Sequence, residues 1–214
     1  MKSKFSFAWL LLPLFLAAGC TKLDKSGVYY YSSNEKIYLD VRRDMLFIQF
    51  ENGFPEEQKK AIVQSDPSLT PWTYHGRSDW ATRTYDGSGI DGIAVLRSNG
   101  RIPSSRFNAF LEKEGVRTLS YVYEKNGEFL AVDDHFEVML KASVEESRLK
   151  ELVLEYGCTC EPFWITDGVQ DKIYQVTVPK TSAYGTIRLS CIFQETGLFV
   201  WSAPNFYVFG MYDV

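Results

Sequence analysis

Histidine and excess basic charge are scarce in this chain of 214 residues, and each scarcity excludes a class of function. Only His75 and His135 are present, and the sequence contains no Gly-x-Ser-x-Gly element, so no nucleophile with its base can be assembled from it. The net charge is −4, from 23 Lys and Arg against 27 Asp and Glu. Such a chain lacks the concentrated basic surface that binding to nucleic acid requires. We therefore expect a protein that is not an enzyme and has no nucleic-acid partner.

Cysteine is also scarce, which limits metal chemistry. The chain has four cysteines, Cys20, Cys158, Cys160 and Cys191, and neither histidine lies close to them in sequence. This spacing does not match a structural metal site, and we expect neither a metal nor a cofactor. Cys158 and Cys160 are two residues apart on a predicted strand, so they share a face. One of them can form a disulfide with Cys191, or all three can be buried thiols.

The N-terminus has the pattern of an export signal. Lys2 and Lys4 precede an apolar run from Phe5 to Ala18 that is too short to cross a membrane comfortably. The run ends in Leu16-Ala17-Ala18-Gly19-Cys20, which resembles the lipobox of bacterial lipoproteins, although Ala17 stands where Leu is commoner.

This resemblance implies a signal peptide over residues 1–19 and lipid attachment at Cys20. The lipid would tether the chain to a membrane, and the polar segment over residues 20–28 is predicted to be flexible. The expected location is the outer membrane or the cell envelope, on the periplasmic or the exposed side.

Residues 133–214 have the pattern of a β-α-β-β-α-β unit. A strand is predicted over 134–142, followed by a helix in which Ser143 and Glu146 match a capping box. Further strands are predicted over 158–166, 173–178 and 198–207. A second helix, capped by Thr181 or Ser182, precedes the last strand.

Residues 29–132 can be written in the same order. The predicted strands cover 37–39, 45–50, 90–96, 116–123 and 129–132. Helices are predicted after Pro55 and after Ser104 or Ser105. The predicted fold class is α+β, with two ferredoxin-like (βαββαβ) antiparallel sheet units in tandem and helices on one face. Pairing between the halves could instead make one continuous sheet.

Two stretches carry a family resemblance. Tyr29-Tyr30-Tyr31 leads through Lys36–Leu39 to Met45–Ile48, and Phe193–Phe199 leads to Ala203–Phe206 near the end. Together they resemble the N-terminal, propeptide-like region of secreted subtilisin-like serine peptidases of Bacteroidetes. The resemblance implies a ferredoxin-like fold and a role as folding aid or inhibitor of such a peptidase. No peptidase domain follows in the sequence, so we expect a stand-alone module.

The favoured interpretation is therefore a non-enzymatic, membrane-anchored interaction module of the cell envelope. Its partner would be a subtilisin-like peptidase or another envelope protein. By analogy with that family, the aromatic C-terminal tail would enter the partner's cleft. The candidate partner-binding residues are Phe206, Tyr207, Phe209 and Tyr212.

The alternative is an envelope lipoprotein that binds a glycan or a peptide with an aromatic loop over residues 72–85. Its candidate ligand residues are Trp72, Tyr74, Trp80 and Tyr85. The same residues could also pack in the core.

Overall fold

A computed structural model describes residues 23–74, 83–88, 92–163 and 172–209, with side chains from residue 27 onward. The strands are β1 (Leu23–Ser32), β2 (Glu35–Phe50), β3 (Thr70–Tyr74), β4 (Arg83–Tyr85), β5 (Ile93–Arg97), β6 (Val116–Lys125), β7 (Glu128–Leu140), β8 (Thr159–Pro162), β9 (Ile173–Thr177) and β10 (Phe199–Phe209). The helices are α1 (Glu56–Val63), α2 (Ser104–Leu111), α3 (Glu146–Glu155) and α4 (Thr186–Glu195). None of the described helices is long and apolar enough to cross a membrane.

The strands form a single antiparallel sheet, which confirms the predicted α+β class. The strand order is β4-β3-β5-β2-β6-β7-β9-β8, with β1 added to β2 and β10 added to β7. The boundary expected between residues 132 and 133 lies inside β7, because this strand continues from Glu128 to Leu140. The two halves of the chain therefore share one sheet, which was the alternative left open by the sequence.

Four strands of each half follow a corresponding spatial order, and the first half adds β1 and β4 at its edges. In the first half, called here the β2–β6 half, the order is β6-β2-β5-β3, and α1 and α2 lie between strands in sequence. In the second half, the β7–β10 half, the order is β10-β7-β9-β8, with α3 and α4 in the corresponding places. The halves are joined where β6 pairs with β7.

Alternating apolar residues explain why β7 buries one face against helices. Phe136, Val138 and Leu140 are buried in one cluster with Leu149 of α3 and Phe193 of α4. A separate cluster serves the β2–β6 half, with core residues Leu46, Ile48, Phe50, Val63, Ala94, Leu96, Phe110 and Val116. The opposite face of β2 is covered by aromatic residues from β3, β4 and the end of β10.

The helix starts differ from the predicted caps. α3 begins at Glu146 after Glu145, without a side-chain cap from Ser143, and α4 begins at Thr186 after Gly185. Ser182 instead accepts a hydrogen bond from the backbone of Tyr184 in a local turn before the helix. Serine and threonine bind nearby backbone in turns as readily as at helix starts, so sequence spacing alone misplaced these ends.

The first strand begins earlier than expected. β1 starts at Leu23 and pairs with β2 from the Leu23–Arg42 pair onward, within the segment predicted to be a flexible tether. The strand contains a register shift between Asp24 and Val28, and Gly27 there has a φ of 73°, which favours glycine. The tether is therefore shorter than predicted, and the predicted signal and Cys20 lie outside the described residues.

A cleft at the fork of the sheet as candidate functional site

The sheet divides where β6 leaves β7. The two strands pair only from Tyr123–Leu130 to Lys125–Glu128, next to the turn that joins them. From there β6 continues along β2, whereas β7 turns towards β9 and pairs with it from His135 to Met139. We call this divergence of β6 and β7 the fork.

A cleft of about 550 Å³ lies at the fork. One wall comes from α2 with Phe107 and Leu111, and the other from the start of α4 with Ile187 and Cys191. The floor is formed by β6 and β7 residues: Leu119, Ser120, Tyr121, Tyr123 and Val132. Arg117 and Tyr123 are six residues apart on β6, so the floor is about 20 Å long at the rise of an extended strand. The cleft is thus elongated and mostly apolar.

Side chains span the fork where the backbone ladder is lost. The Ser120 hydroxyl lies 3.4 Å from the Val132 carbonyl oxygen, and Arg117 Nε donates to Asp134 Oδ2 at 2.9 Å. Thr186 Oγ1 donates to the Asp133 carbonyl oxygen at 2.7 Å, which ties the start of α4 to β7. These contacts hold the strands together at a fixed spacing.

The polar end of the fork is a cluster of four ionisable side chains. Arg117 Nη2 is 2.9 Å from His135 Nε2, and His135 Nδ1 is 2.7 Å from Asp134 Oδ1. Asp133 is 4% exposed and accepts hydrogen bonds from the backbone of His135 and from Asn205. Each charged group in the cluster therefore has a partner, as buried charges require.

Opposing effects set the protonation of His135. Burial lowers the pKa of its ring, but the carboxylates of Asp133 and Asp134, 3.7 Å and 2.7 Å from Nδ1, outweigh burial and raise that pKa to about 9. Arg117 opposes this rise in the pKa of His135. Its guanidinium can donate a hydrogen bond to Nε2 only while that nitrogen is unprotonated, which favours the neutral ring. We favour the raised pKa, since two carboxylates face the ring and Arg117 is itself bound to Asp134.

Oxygen and nitrogen atoms of Asp133, Asp134 and His135 lie within 4.8 Å of one another, which is close enough for a metal ion. The guanidinium of Arg117 and the amide of Asn205 already occupy Asp134 and Asp133. A cation would have to displace Arg117, so these residues fit a structural cluster better than a metal centre. The described contacts of His135 are with carboxylates and a guanidinium, an arrangement without a hydroxyl or thiol nucleophile.

Tyr123 offers an unused donor on the floor of the cleft. Among the described residues its hydroxyl has no hydrogen-bond partner, and burial raises its pKa to about 12, although the charge of Arg43 acts in the opposite direction. The hydroxyl therefore stays protonated at all physiological pH values. It can donate a hydrogen bond to a ligand in the cleft.

The predicted aromatic loop is largely part of the core. Trp72 and Tyr85 stack with centroids 5.9 Å apart, and Trp72 also contacts Phe129 and Phe209. Tyr74 lies 5.9 Å from Trp72 on the same strand, and Trp80 is outside the described residues. Core packing, the other interpretation of this pattern, therefore accounts for Trp72 and Tyr85.

Three of the four predicted partner-binding residues lie in a paired strand. Phe206, Tyr207 and Phe209 pair with β7, and Phe209 is only 3% exposed. The Tyr207 hydroxyl accepts a hydrogen bond from Gln49 at 3.0 Å. These residues are not free to enter a partner's cleft, because they complete the sheet and cover β2; Tyr212 lies outside the described residues.

The three described cysteines are free thiols, so neither candidate disulfide is formed. Cys191 Sγ lies 3.1 Å from the carbonyl oxygen of Tyr29, whereas Cys158 and Cys160 belong to the cluster around Phe136. Burial raises the pKa of the Cys158 and Cys191 thiols to about 11, with minor help from Cys160 and Glu195 respectively. Such thiols are poor nucleophiles at neutral pH.

Comparisons with protein-family models, with curated proteins and with solved structures give no match to this chain. The functional assignment therefore depends on the site itself. Sequence reasoning missed the cleft, since its lining comes from five separated segments. The one sequence feature that marks the fork is the pair of acidic residues, Asp133 and Asp134, directly before His135.

Proposed function

We propose that this chain is a lipid-anchored cell-envelope protein that binds an apolar or amphipathic ligand in the fork cleft without catalysing a reaction. The observation that carries the proposal is the cleft itself, about 550 Å³ in volume and lined mainly by apolar side chains. Ligand sites are typically concave and apolar with a few placed polar groups, and Tyr123 supplies such a group here.

The polar cluster supports a binding role over a catalytic one. Arg117, Asp133, Asp134 and His135 are bound to each other or to backbone, so they form a fixed end wall. A general base would need its proton acceptor facing the substrate. Here both ring nitrogens of His135 face protein groups.

The fold proposed with this function is two ferredoxin-like units that share one sheet. In support, the second half follows the chain order β-α-β-β-α-β, the first half follows it once β1 and β4 are set aside, and the strand orders β6-β2-β5-β3 and β10-β7-β9-β8 correspond position by position. The cleft would then lie at the junction of the units, a common place for ligand sites.

The anchor proposed at Cys20 would hold the cleft close to a membrane. Only Thr21 and Lys22 separate Cys20 from β1, a reach of about 10 Å for extended chain. Gly27, Val28 and Tyr29 of the same strand border the cleft. A ligand that partitions between membrane and protein would have a short path to travel.

Binding of Nile red, an uncharged apolar dye, tests the proposed function. The unmodified protein should enhance its fluorescence, and Leu111→Trp should abolish the enhancement because the larger ring fills the cleft from α2. Leu154→Trp is the matched control, since Leu154 is 80% exposed on α3. Equal enhancement in all three proteins would show that the dye binds elsewhere, and the proposal would fail.

A second candidate is docking of a protein such as a subtilisin-like peptidase on the helix-free face of the β7–β10 half. The pairing places Trp201, Met139 and Ile173 in one row on this face, and Ala203, Glu137 and Gln175 in the next. The described helices of this half pack on the other face. The propeptide resemblance favours a peptidase as the partner. This docking mode does not use the C-terminal strand, which is paired with β7.

Inhibition of a purified subtilisin-like peptidase separates this candidate from the first. A docking face predicts inhibition that Trp201→Ala weakens and Leu111→Trp leaves unchanged. If no inhibition occurs at micromolar protein, the peptidase partner is eliminated.

A further inference from the structure

The lining of the fork cleft carries an unbalanced positive charge. Its carboxylates are Asp133 and Asp134, and both are engaged by Asn205, His135 or Arg117. Arg117 is thereby neutralised by Asp134. Two other cations line the cleft, Lys180 and Arg188.

Lys180 has no carboxylate within ion-pair distance among the described residues. Its Nζ donates to the carbonyl oxygens of Val116 at 2.8 Å and of Lys113 at 3.1 Å. Arg188 is also exposed, but its guanidinium lies 4.0 Å from the carboxylate of Glu195. Lys180 is thus the cation of the lining that is fixed in position without a counter-charge.

Two backbone acceptors leave one N–H of the ammonium unused. The carbonyl bonds hold the group beside the start of β6, close in sequence to Arg117, at the end of the cleft opposite Tyr123. A ligand with an anionic head at this end would align its apolar part along the floor of about 20 Å. Its head would add an ion pair without displacing an existing one.

We propose that the fork cleft takes a monoanionic amphiphile, a long-chain carboxylate, with its head at Lys180 and its alkyl chain along β6 towards Tyr123. The proposal rests on the ligand-binding function above and adds the charge and the direction of the ligand. A cationic amphiphile would meet Lys180 with like charge. An uncharged one would gain only the apolar contacts.

Three probes of equal chain length and different head group test this in the unmodified protein: laurate, dodecanol and dodecylamine. We expect displacement of Nile red by laurate at a concentration about fivefold lower than by dodecanol, the upper end of the ratio that one ion pair at an exposed lysine provides. Dodecylamine should be the weakest. Because no substitution is involved, this comparison does not depend on a variant that folds.

The residue assignment is tested with Lys180→Met, which should remove the preference for laurate over dodecanol while leaving dodecanol unchanged. Lys180→Arg should retain it. Lys172→Met is the matched control, because Lys172 Nζ also donates to a backbone carbonyl, that of Val144, and does not line the cleft.

The outcomes separate the two proposals. If laurate and dodecanol compete equally, or dodecylamine competes best, the proposal of an anionic ligand is wrong. The proposal that the cleft binds an apolar or amphipathic ligand is then unaffected. If Lys180→Met retains the full preference for laurate, the head does not lie at Lys180 and the assignment is overturned. If no probe displaces the dye, both the ligand class and the cleft function fail.

Discussion

Four strands of each half follow a corresponding order, but the halves differ in how their helices are buried. In the β7–β10 half, α4 buries six residues, including Ile187, Leu189 and Phe193. In the β2–β6 half, α2 buries only Phe110, and α1 buries Lys59 and Val63. The β2–β6 half compensates on its other face, where Trp72 and Tyr85 pack with the end of β10.

This difference shows that the β7–β10 half is stabilised largely by its own helices. The β2–β6 half is stabilised in part by contacts with a strand of the other half. Phe47 on β2 lies 5.2 Å from Tyr207 and 6.0 Å from Phe209, both on β10. The β2–β6 half thus depends on a strand of its neighbour. The cleft lies between α2 and α4, away from these contacts.

Truncating a central aromatic residue in each half should give the largest effects. Phe193 contacts Phe136 and Phe199 and is fully buried, so Phe193→Ala should lower the free energy of unfolding by about 4 kcal/mol. Phe110→Ala should cost about 3 kcal/mol, because the shallow α2 can relax into the space. Urea denaturation measures both. A larger loss for Phe110 would reverse the proposed difference between the halves.

Glycines after two helices sharpen the comparison. Gly115, after α2, has a φ of 75°, and a Cβ there would overlap the Phe54 ring. Gly157, after α3, has a φ of 65° but open space around it. Gly115→Ala should cost about 3 kcal/mol from strain and overlap, and Gly157→Ala about 1 kcal/mol from strain alone. Thermal unfolding of the two variants distinguishes these values, and equal losses would contradict the close contact with Phe54.

The sequence predicted the β7–β10 half well because its signals are local. Alternation in Phe136, Val138 and Leu140, and the helix stop at Gly157, both depend on neighbours along the chain. The continuity of β7 could not be predicted, since Asp133 and Asp134 interrupt the apolar pattern. These two carboxylates can lie within a continuous strand because Arg117 of β6 and Asn205 of β10 donate hydrogen bonds to them.

The candidate site was beyond prediction for the same reason. The role of Lys180 depends on carbonyl groups more than 60 residues away, at Lys113 and Val116. The aromatic pattern of residues 72–85 was visible in the sequence, but alternation alone did not distinguish a binding loop from a strand pair packed on β10.

Ion pairs of similar geometry test whether the fork contacts join the halves. Asp134 binds Arg117 across the fork and Asp66 binds Arg106 within the β2–β6 half, each at 2.9 Å. Asp134→Asn should cost about 2 kcal/mol, because the substitution also deprives His135 of a partner. Asp66→Asn should cost about 1 kcal/mol or less.

Hydrogen exchange of backbone amides shows which part of the structure each ion-pair substitution destabilises. Amides of residues 131–134 should exchange faster in Asp134→Asn and remain protected in Asp66→Asn. Unchanged protection at these amides in Asp134→Asn would show that the pair does not hold the fork.

The pH dependence of stability should be the smallest effect. The folded pKa of His135 is raised to about 9, above the ordinary value of 6.5, so its contribution is complete below pH 6.5 and is lost as the pH rises through 9. His135→Gln should therefore destabilise the protein most at pH 6, on the order of 1 kcal/mol, and least at pH 10. Urea midpoints at both pH values measure the gap. A gap that widens towards pH 10 would indicate that Arg117 keeps the ring neutral.

Backbone amide chemical shifts recorded during a laurate titration test the central claim most directly. Shifts should concentrate at residues 117–123 of β6, residues 132–134 of β7 and residues 178–191 leading into α4, which enclose the cleft. Residues 159–162 of β8, which do not line the cleft, should remain unchanged. Shifts confined to β8 and the helix-free face, or no saturable shifts at all, would contradict a ligand site at the fork.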